Sequence, residues 1–254
     1  NEFFSIASHE LRTPLWAMLG NSSMIQEVYG PKNDTKLKEL ANDIHESCVR
    51  LIKIVTNFLD AARLEGGKMP MKIESIGIEK PVAAAVGELQ ALGKEKNLYI
   101  KTELPPALPQ VLADGEKVQQ IIYNLIGNAM KFTETGGITI SAEASPAVVA
   151  ITVTDTGRGI SKDGQQTLFK SFQQTQAGDE NMGSGLGLYI SKLLVERMGG
   201  HIWLEASEEG KGTSIAFSLP VTPGQTHITT TPAKPAPKLT DESKPGTIDQ
   251  SKTT

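Results

Sequence analysis

Residues 120–133 read Gln120-Ile121-Ile122-Tyr123-Asn124-Leu125-Ile126-Gly127-Asn128-Ala129-Met130-Lys131-Phe132-Thr133. Asn124, Asn128 and Lys131 stand at i, i+4 and i+7, so a helix here lines them along one face. Val118, Ile121, Ile122, Leu125, Ala129 and Phe132 supply the opposite, apolar face. Asp114 is placed to cap the start of this helix, predicted over 115–131. Amide oxygens suit a hard magnesium ion, and a lysine one turn further on suits a phosphate oxygen. A merely solvated polar face has the same spacing, so this motif needs company before it means anything.

The company lies downstream. Val149-Ala150-Ile151-Thr152-Val153-Thr154 alternates as a strand and runs into Asp155-Thr156-Gly157-Arg158-Gly159. A carboxylate at a strand end can accept a hydrogen bond from an adenine amino group. Gly157 and Gly159 are read as letting backbone approach the ring closely. Next comes Gly183-Ser184-Gly185-Leu186-Gly187-Leu188-Tyr189-Ile190, opening a helix whose free N–H groups favour anionic phosphates. It is no dinucleotide fingerprint, because no strand runs directly into it and no acidic ribose ligand follows at the expected distance. Phe169-Lys170-Ser171-Phe172 and the polar stretch 173–182, rich in Gln and Gly, suit a mobile lid over bound nucleotide.

Around these motifs the pattern predicts helices near 79–96 and 184–198. Strands are predicted at 98–103, near 111, and at 137–143, 148–154, 201–206 and 213–219. Strands bounded by turns, with helices of similar mass, predict an α/β sandwich: a mixed sheet with helices on one face. This unit is expected over 73–220. Residues 221–254, rich in Pro and Thr, are expected to be a disordered tail.

Upstream the period changes. Phe4, Leu11, Leu15, Met18, Ile25 and Val28 follow helical spacing, then Gly30-Pro31-Lys32-Asn33-Asp34 breaks the rod. A second helix is predicted over 35–64, with Leu37, Leu40, Ile44, Leu51, Val55, Phe58 and Ala62 as its stripe. One hairpin buries two such stripes poorly, whereas two hairpins make a four-helix bundle, so residues 1–66 predict a homodimer. Gly66-Gly67 opens a hinge over 67–72. Near the start stands Ser5-Ile6-Ala7-Ser8-His9-Glu10-Leu11-Arg12-Thr13-Pro14-Leu15, which places His9 and Thr13 four apart on one helix face. Proline just after costs a helix about 3 kcal/mol and bends it.

This segment resembles the phospho-acceptor box of sensor histidine kinases. The order and spacing of the downstream motifs resemble the N, G1, F and G2 boxes of the ATP-binding domain those kinases share with DNA gyrase, heat-shock chaperones and mismatch-repair proteins. The resemblance spans about 4–220. It implies that ATP and Mg2+ are bound: Asp155 with Gly157 and Gly159 holds adenine, and Asn128 coordinates magnesium. Asn124 and Lys131 help to hold the phosphates, while Gly183, Gly185 and Gly187 give the lid its phosphate contacts. It implies that His9 attacks the γ-phosphate with Glu10 accepting its ring proton or polarising the imidazole, and that an aspartate of a response-regulator receiver domain then takes the phosphoryl group. Thr13 resembles the residue that positions a hydrolytic water in kinases that also dephosphorylate their regulators. His45, His201 and His227 lack the Glu-x-x-Thr-Pro context of His9.

Composition narrows the alternatives. Twenty-five basic against 29 acidic residues leave a net charge of -4, which argues against nucleic acid as the partner. A single cysteine, Cys48, excludes an internal disulfide. No apolar run approaches a membrane span of roughly 20 residues, so no membrane contact is expected of this segment, which is read as a cytoplasmic portion. Opening at Asn1 inside helical pattern predicts an upstream part that could carry a sensor or anchor. A non-catalytic ATP-binding scaffold is the alternative, although every residue the motifs need is present.

Overall fold

The computed structural model describes residues 15–27 (apart from 17 and 26), 35–170 and 185–224. The described residues within 15–27 are helical (α1) and run beside a long helix, α2, over Thr35–Glu65. Ser22 and Ser23 of α1 lie 3.4 Å from Nδ1 of His45, a point where the two rods touch.

The apolar positions of α2 divide into two lines. Ala41, Cys48, Leu59, Ala61 and Leu64 are buried, whereas Ile44, Leu51 and Phe58, each seven residues apart, are 45–48% exposed. Part of the stripe expected to be core is therefore open in the single chain, as are Trp16, Met18 and Met24 on α1.

α2 ends where the sequence supplies glycine. Lys68 N–H bonds to the Arg63 carbonyl and Gly67 N–H to that of Leu64, with Gly67 at φ +70°, a helix stop that needs the left-handed conformation. Beyond it the chain docks at once: Lys72 N–H donates to Asp114 Oδ2 at 2.8 Å.

The second unit is a two-layer sandwich. β2 (Tyr99–Glu103), β4 (Gly137–Ala144), β5 (Val148–Asp155), β6 (His201–Glu208) and β7 (Gly212–Pro220) form one sheet in the order β2-β4-β5-β7-β6. β2 pairs parallel with β4 and all other pairs are antiparallel, so the sheet is mixed. Helices α3 (Glu79–Glu95), α4 (Gly115–Phe132) and α6 (Gly187–Arg197) cover one face. The core lies between the layers. Ile138, Ile140, Ile151 and Phe217 from the sheet meet Val82, Ile121, Ile122, Ile126, Ile190 and Leu194 from the helices, all with at most 1% exposure. Alternation puts every second strand residue into this layer, as the pattern of Val149, Ile151 and Val153 in β5 requires.

Two short elements lie outside the expected set. β1 (Glu74–Ile76) pairs antiparallel with β3 (Val111–Ala113), and α5 (Lys162–Thr167) is capped by Ser161. The chain stays bonded to this unit past β7, through Val221 N–H to Ala147 and Thr222 N–H to Gln110. The tail beyond residue 224 lies outside the described residues.

Candidate functional site

Helix α4 is fixed at both ends. Asp114 accepts from the N–H groups of Glu116 and Lys117 at 3.1 and 3.2 Å, satisfying donors that the first turn leaves open. At the other end, Thr133 Oγ1 donates to the Ala129 carbonyl at 2.7 Å. Val118, Ile121, Ile122, Leu125 and Ala129 face the core. This anchoring brings Asn124, Asn128 and Lys131 onto the side next to that face, where all three line a cavity of about 230 Å³ that Leu125 and Ala129 also reach. Phe132 departs from expectation: it lines the cavity instead of joining the buried face, its ring lying under Lys131 Nζ (5.5 Å) and Arg158 Cζ (4.7 Å). The helix ends there, so its last residue escapes the packing that holds the earlier apolar positions.

Asp155 enters the same cavity from the end of β5. Its Oδ1 accepts from Gly157 N–H at 2.8 Å and Thr213 N–H at 3.2 Å. Both bonds fall on one oxygen, which orients the carboxyl group and leaves Oδ2 out of both. Burial pushes the Asp155 carboxyl above its ordinary value, while the two backbone N–H groups pull it part of the way back.

Gly159 lines the cavity, and both glycines after Asp155 also stand where the loop packs closely on its neighbours. A Cβ on Gly157 would strike the Phe132 carbonyl, which itself accepts from Arg158 N–H at 3.1 Å. Gly159 has φ +71°, and a Cβ there would strike the Glu208 carbonyl. Both therefore let the loop after Asp155 pack against α4 and β6, and Gly157 N–H bonds the carboxylate directly.

Gly185 and Gly187 also line the cavity, Gly187 as the first residue of α6. Asn124 Nδ2 approaches Ser191 Oγ of α6 at 3.5 Å, linking the two helices across the site. Leu125, Val153, Ile160, Leu168 and Ile215 give the cavity an apolar wall suited to a flat ring. His9, Glu10, Thr13, Gly183 and the stretch 173–182 expected as a lid lie outside the described residues.

Sequence reading missed one wall. Arg50, Lys53, Ile54 and Asn57 of α2 line the same cavity, so the helical hairpin and the sandwich share it. The only signal available was spacing: positions 50, 53, 54 and 57 share one helix face.

Among the described residues no group of three or more His, Cys, Asp or Glu side chains stands ready for a metal. Asn128 lines the cavity from α4.

An α/β sandwich with an oriented strand-end carboxylate, an amide-and-lysine helix face and a glycine-opened helix around one cavity defines the class: an ATP-binding domain. Two family models match the chain. Residues 113–223 match the histidine kinase-, DNA gyrase B-, and HSP90-like ATPase, and residues 1–67 match the His Kinase A (phospho-acceptor) domain. The chain is 36% identical over 237 residues to the non-motile and phage-resistance protein of Caulobacter vibrioides, covering 90% of this chain and 28% of that protein. It is 33% identical over 222 residues to the histidine protein kinase DivJ of the same organism, covering 86% and 37%. Full-length ShkA in complex with AMPPNP is similar in structure, with a TM-score of 0.75, 31% identity, and 87% of this chain and 46% of that one covered. The chain belongs to the histidine kinases, and it spans well under half the length of these two curated relatives.

Proposed function

We propose that this chain is the transmitter core of a sensor histidine kinase that phosphorylates itself on His9 from ATP and passes the phosphoryl group to a receiver-domain aspartate. The observation that carries the reading is the single cavity holding Asp155, Asn124, Asn128 and Lys131 in a chain that also has the phospho-acceptor domain. AMPPNP on the similar ShkA structure supports ATP as the nucleotide.

In this reading Asp155 accepts from the adenine amino group, and the apolar wall stacks on the ring. Asn124 and Lys131 hold phosphate oxygens, and Asn128 would hold magnesium, which when bound neutralises phosphate charge. A ring nitrogen of His9 bonds to the γ-phosphorus as the bond to the β,γ-bridging oxygen breaks. ADP leaves, and Glu10 takes the imidazole proton. Positioning and charge neutralisation carry most of such a transfer, so acceptor and nucleotide can sit on separate units joined by a hinge.

The open line Ile44, Leu51 and Phe58, with Trp16, Met18 and Met24, supports a homodimer through the hairpin, where a second copy covers these side chains. Among the described residues no helix is long and apolar enough to cross a membrane. This portion acts on the cytoplasmic side, where ATP is available.

The test is transfer. Chain labelled from γ-labelled ATP, then freed of nucleotide, should lose its label to an added receiver domain within minutes. Label that stays on the kinase across a panel of receivers would contradict the reading. In the same assay Thr13→Ala should slow the later loss of label from the receiver without slowing self-labelling, and equal slowing of both would remove the water-positioning role.

A further inference from the structure

Helix α2 presents three different sides. At about 100° per residue, Ala41, Cys48 and Leu59 fall together, and they are buried. The exposed line Ile44, Leu51 and Phe58 lies beside them. Arg50, Lys53, Ile54 and Asn57 occupy an arc of about 100° opposite Ala41, Cys48 and Leu59, the same arc in which Ala61 and Leu64 are buried further along the helix. All four of them line the nucleotide cavity. A solvated helix face owes nothing to a cavity 70 residues downstream, yet this one forms its wall.

Two hydrogen bonds hold α2 and the hinge against α6. Tyr189 Oη donates to Glu65 Oε1 at 2.5 Å, and Arg197 Nη2 donates to the Gly67 carbonyl at 3.2 Å. α6 is the helix opened by Gly187, which itself lines the cavity. From Glu65 back to Lys53 is twelve residues, or roughly 18 Å of helix, enough to carry α2 from the latch along the mouth of the site.

Charge then points to the ligand. The described lining carries four cations, Arg50, Lys53, Lys131 and Arg158, against one carboxylate, Asp155. The sandwich alone supplies two of the four. We propose that Lys53, supported by Arg50, is a binding residue of the nucleotide site: through it the helical hairpin contacts the polyphosphate and discriminates a triphosphate from nucleotides with fewer phosphates. This rests on the ATP-binding reading above. Its consequence is that nucleotide affinity reports how the hairpin sits on the sandwich, because part of the phosphate site belongs to the other unit.

The experiment titrates the full chain with ATP, ADP and adenosine in magnesium by calorimetry. Lys53→Gln should weaken ATP about tenfold, the effect of one charge-assisted contact, and leave adenosine within error. Lys53→Arg should restore most of the ATP affinity, and Arg50→Gln added to Lys53→Gln should lower it further. Unchanged ATP affinity in the double variant overturns the proposal, as does a parallel fall for adenosine, which would mark a structural role. Wild-type chain that binds no ATP would instead overturn the parent reading, so the two failures are distinguishable.

Discussion

The Tyr189 hydroxyl donates to the Glu65 carboxylate at 2.5 Å across 124 residues of sequence, joining the first turn of α6 to the last residue of α2. The bond sits where the glycine-opened helix meets the hinge, and it holds the tyrosine above its ordinary pKa because the proton is held by the carboxylate. Tyr189→Phe keeps the ring and removes the donor. One such bond at the surface contributes about 1 kcal/mol, or roughly fivefold in the opening equilibrium. Limited proteolysis at 66–70 should accelerate by about that factor, and an unchanged cleavage rate would show that the bond holds nothing.

Asp155 gives a pH dependence of known sign. Its native carboxyl pKa is raised by burial, so the folded state holds that proton more tightly than the unfolded state does. The contribution of Asp155 to stability therefore falls as pH rises through the ordinary carboxylate range to the raised native value. Asp155→Asn keeps an oxygen for the N–H groups of Gly157 and Thr213 and has no such dependence. In ligand-free protein, the stability of the variant relative to wild type should increase between acid and neutral pH, measured by urea unfolding. The same substitution should abolish ATP binding. A constant stability difference across that range would contradict the buried-carboxylate account.

Asn128 is argued to meet magnesium. Asn128→Ala should remove the dependence of ATP affinity on magnesium while leaving adenosine binding intact, compared by titration with and without the ion. A full magnesium response in the variant would move the metal contact elsewhere.

Phe217 on β7 lies opposite Ile151 and Ile202 and is wholly buried. Phe217→Ala should cost about 3–5 kcal/mol by equilibrium unfolding, from lost burial and the cavity it leaves. A loss below about 1 kcal/mol would mean the sandwich core collapses around the gap, against its dense packing.

What the sequence made legible was periodic. The Asp114 cap, the buried face of α4 and the alternation of β5 each repeat a pattern long enough to identify, and the sandwich follows from them. β1 is three residues long and owes its existence to pairing with β3, so no local pattern marks it. α5 reads Lys-Asp-Gly-Gln-Gln-Thr, without an apolar stripe, and only the Ser161 cap announces it. α6 begins at Gly187, three residues later than the expected 184, after the glycines that precede it. Arg50 and Lys53 were illegible because a cation facing a cavity and one facing water have the same sequence signature. Only the meeting of two units distinguishes them.

The central claim is tested most directly by labelling the full chain and its His9→Gln variant with γ-labelled ATP and magnesium. The account predicts acid-labile, base-stable label on the wild type and none on the variant. Equal label on both, or none on a wild type that binds ATP, would contradict it.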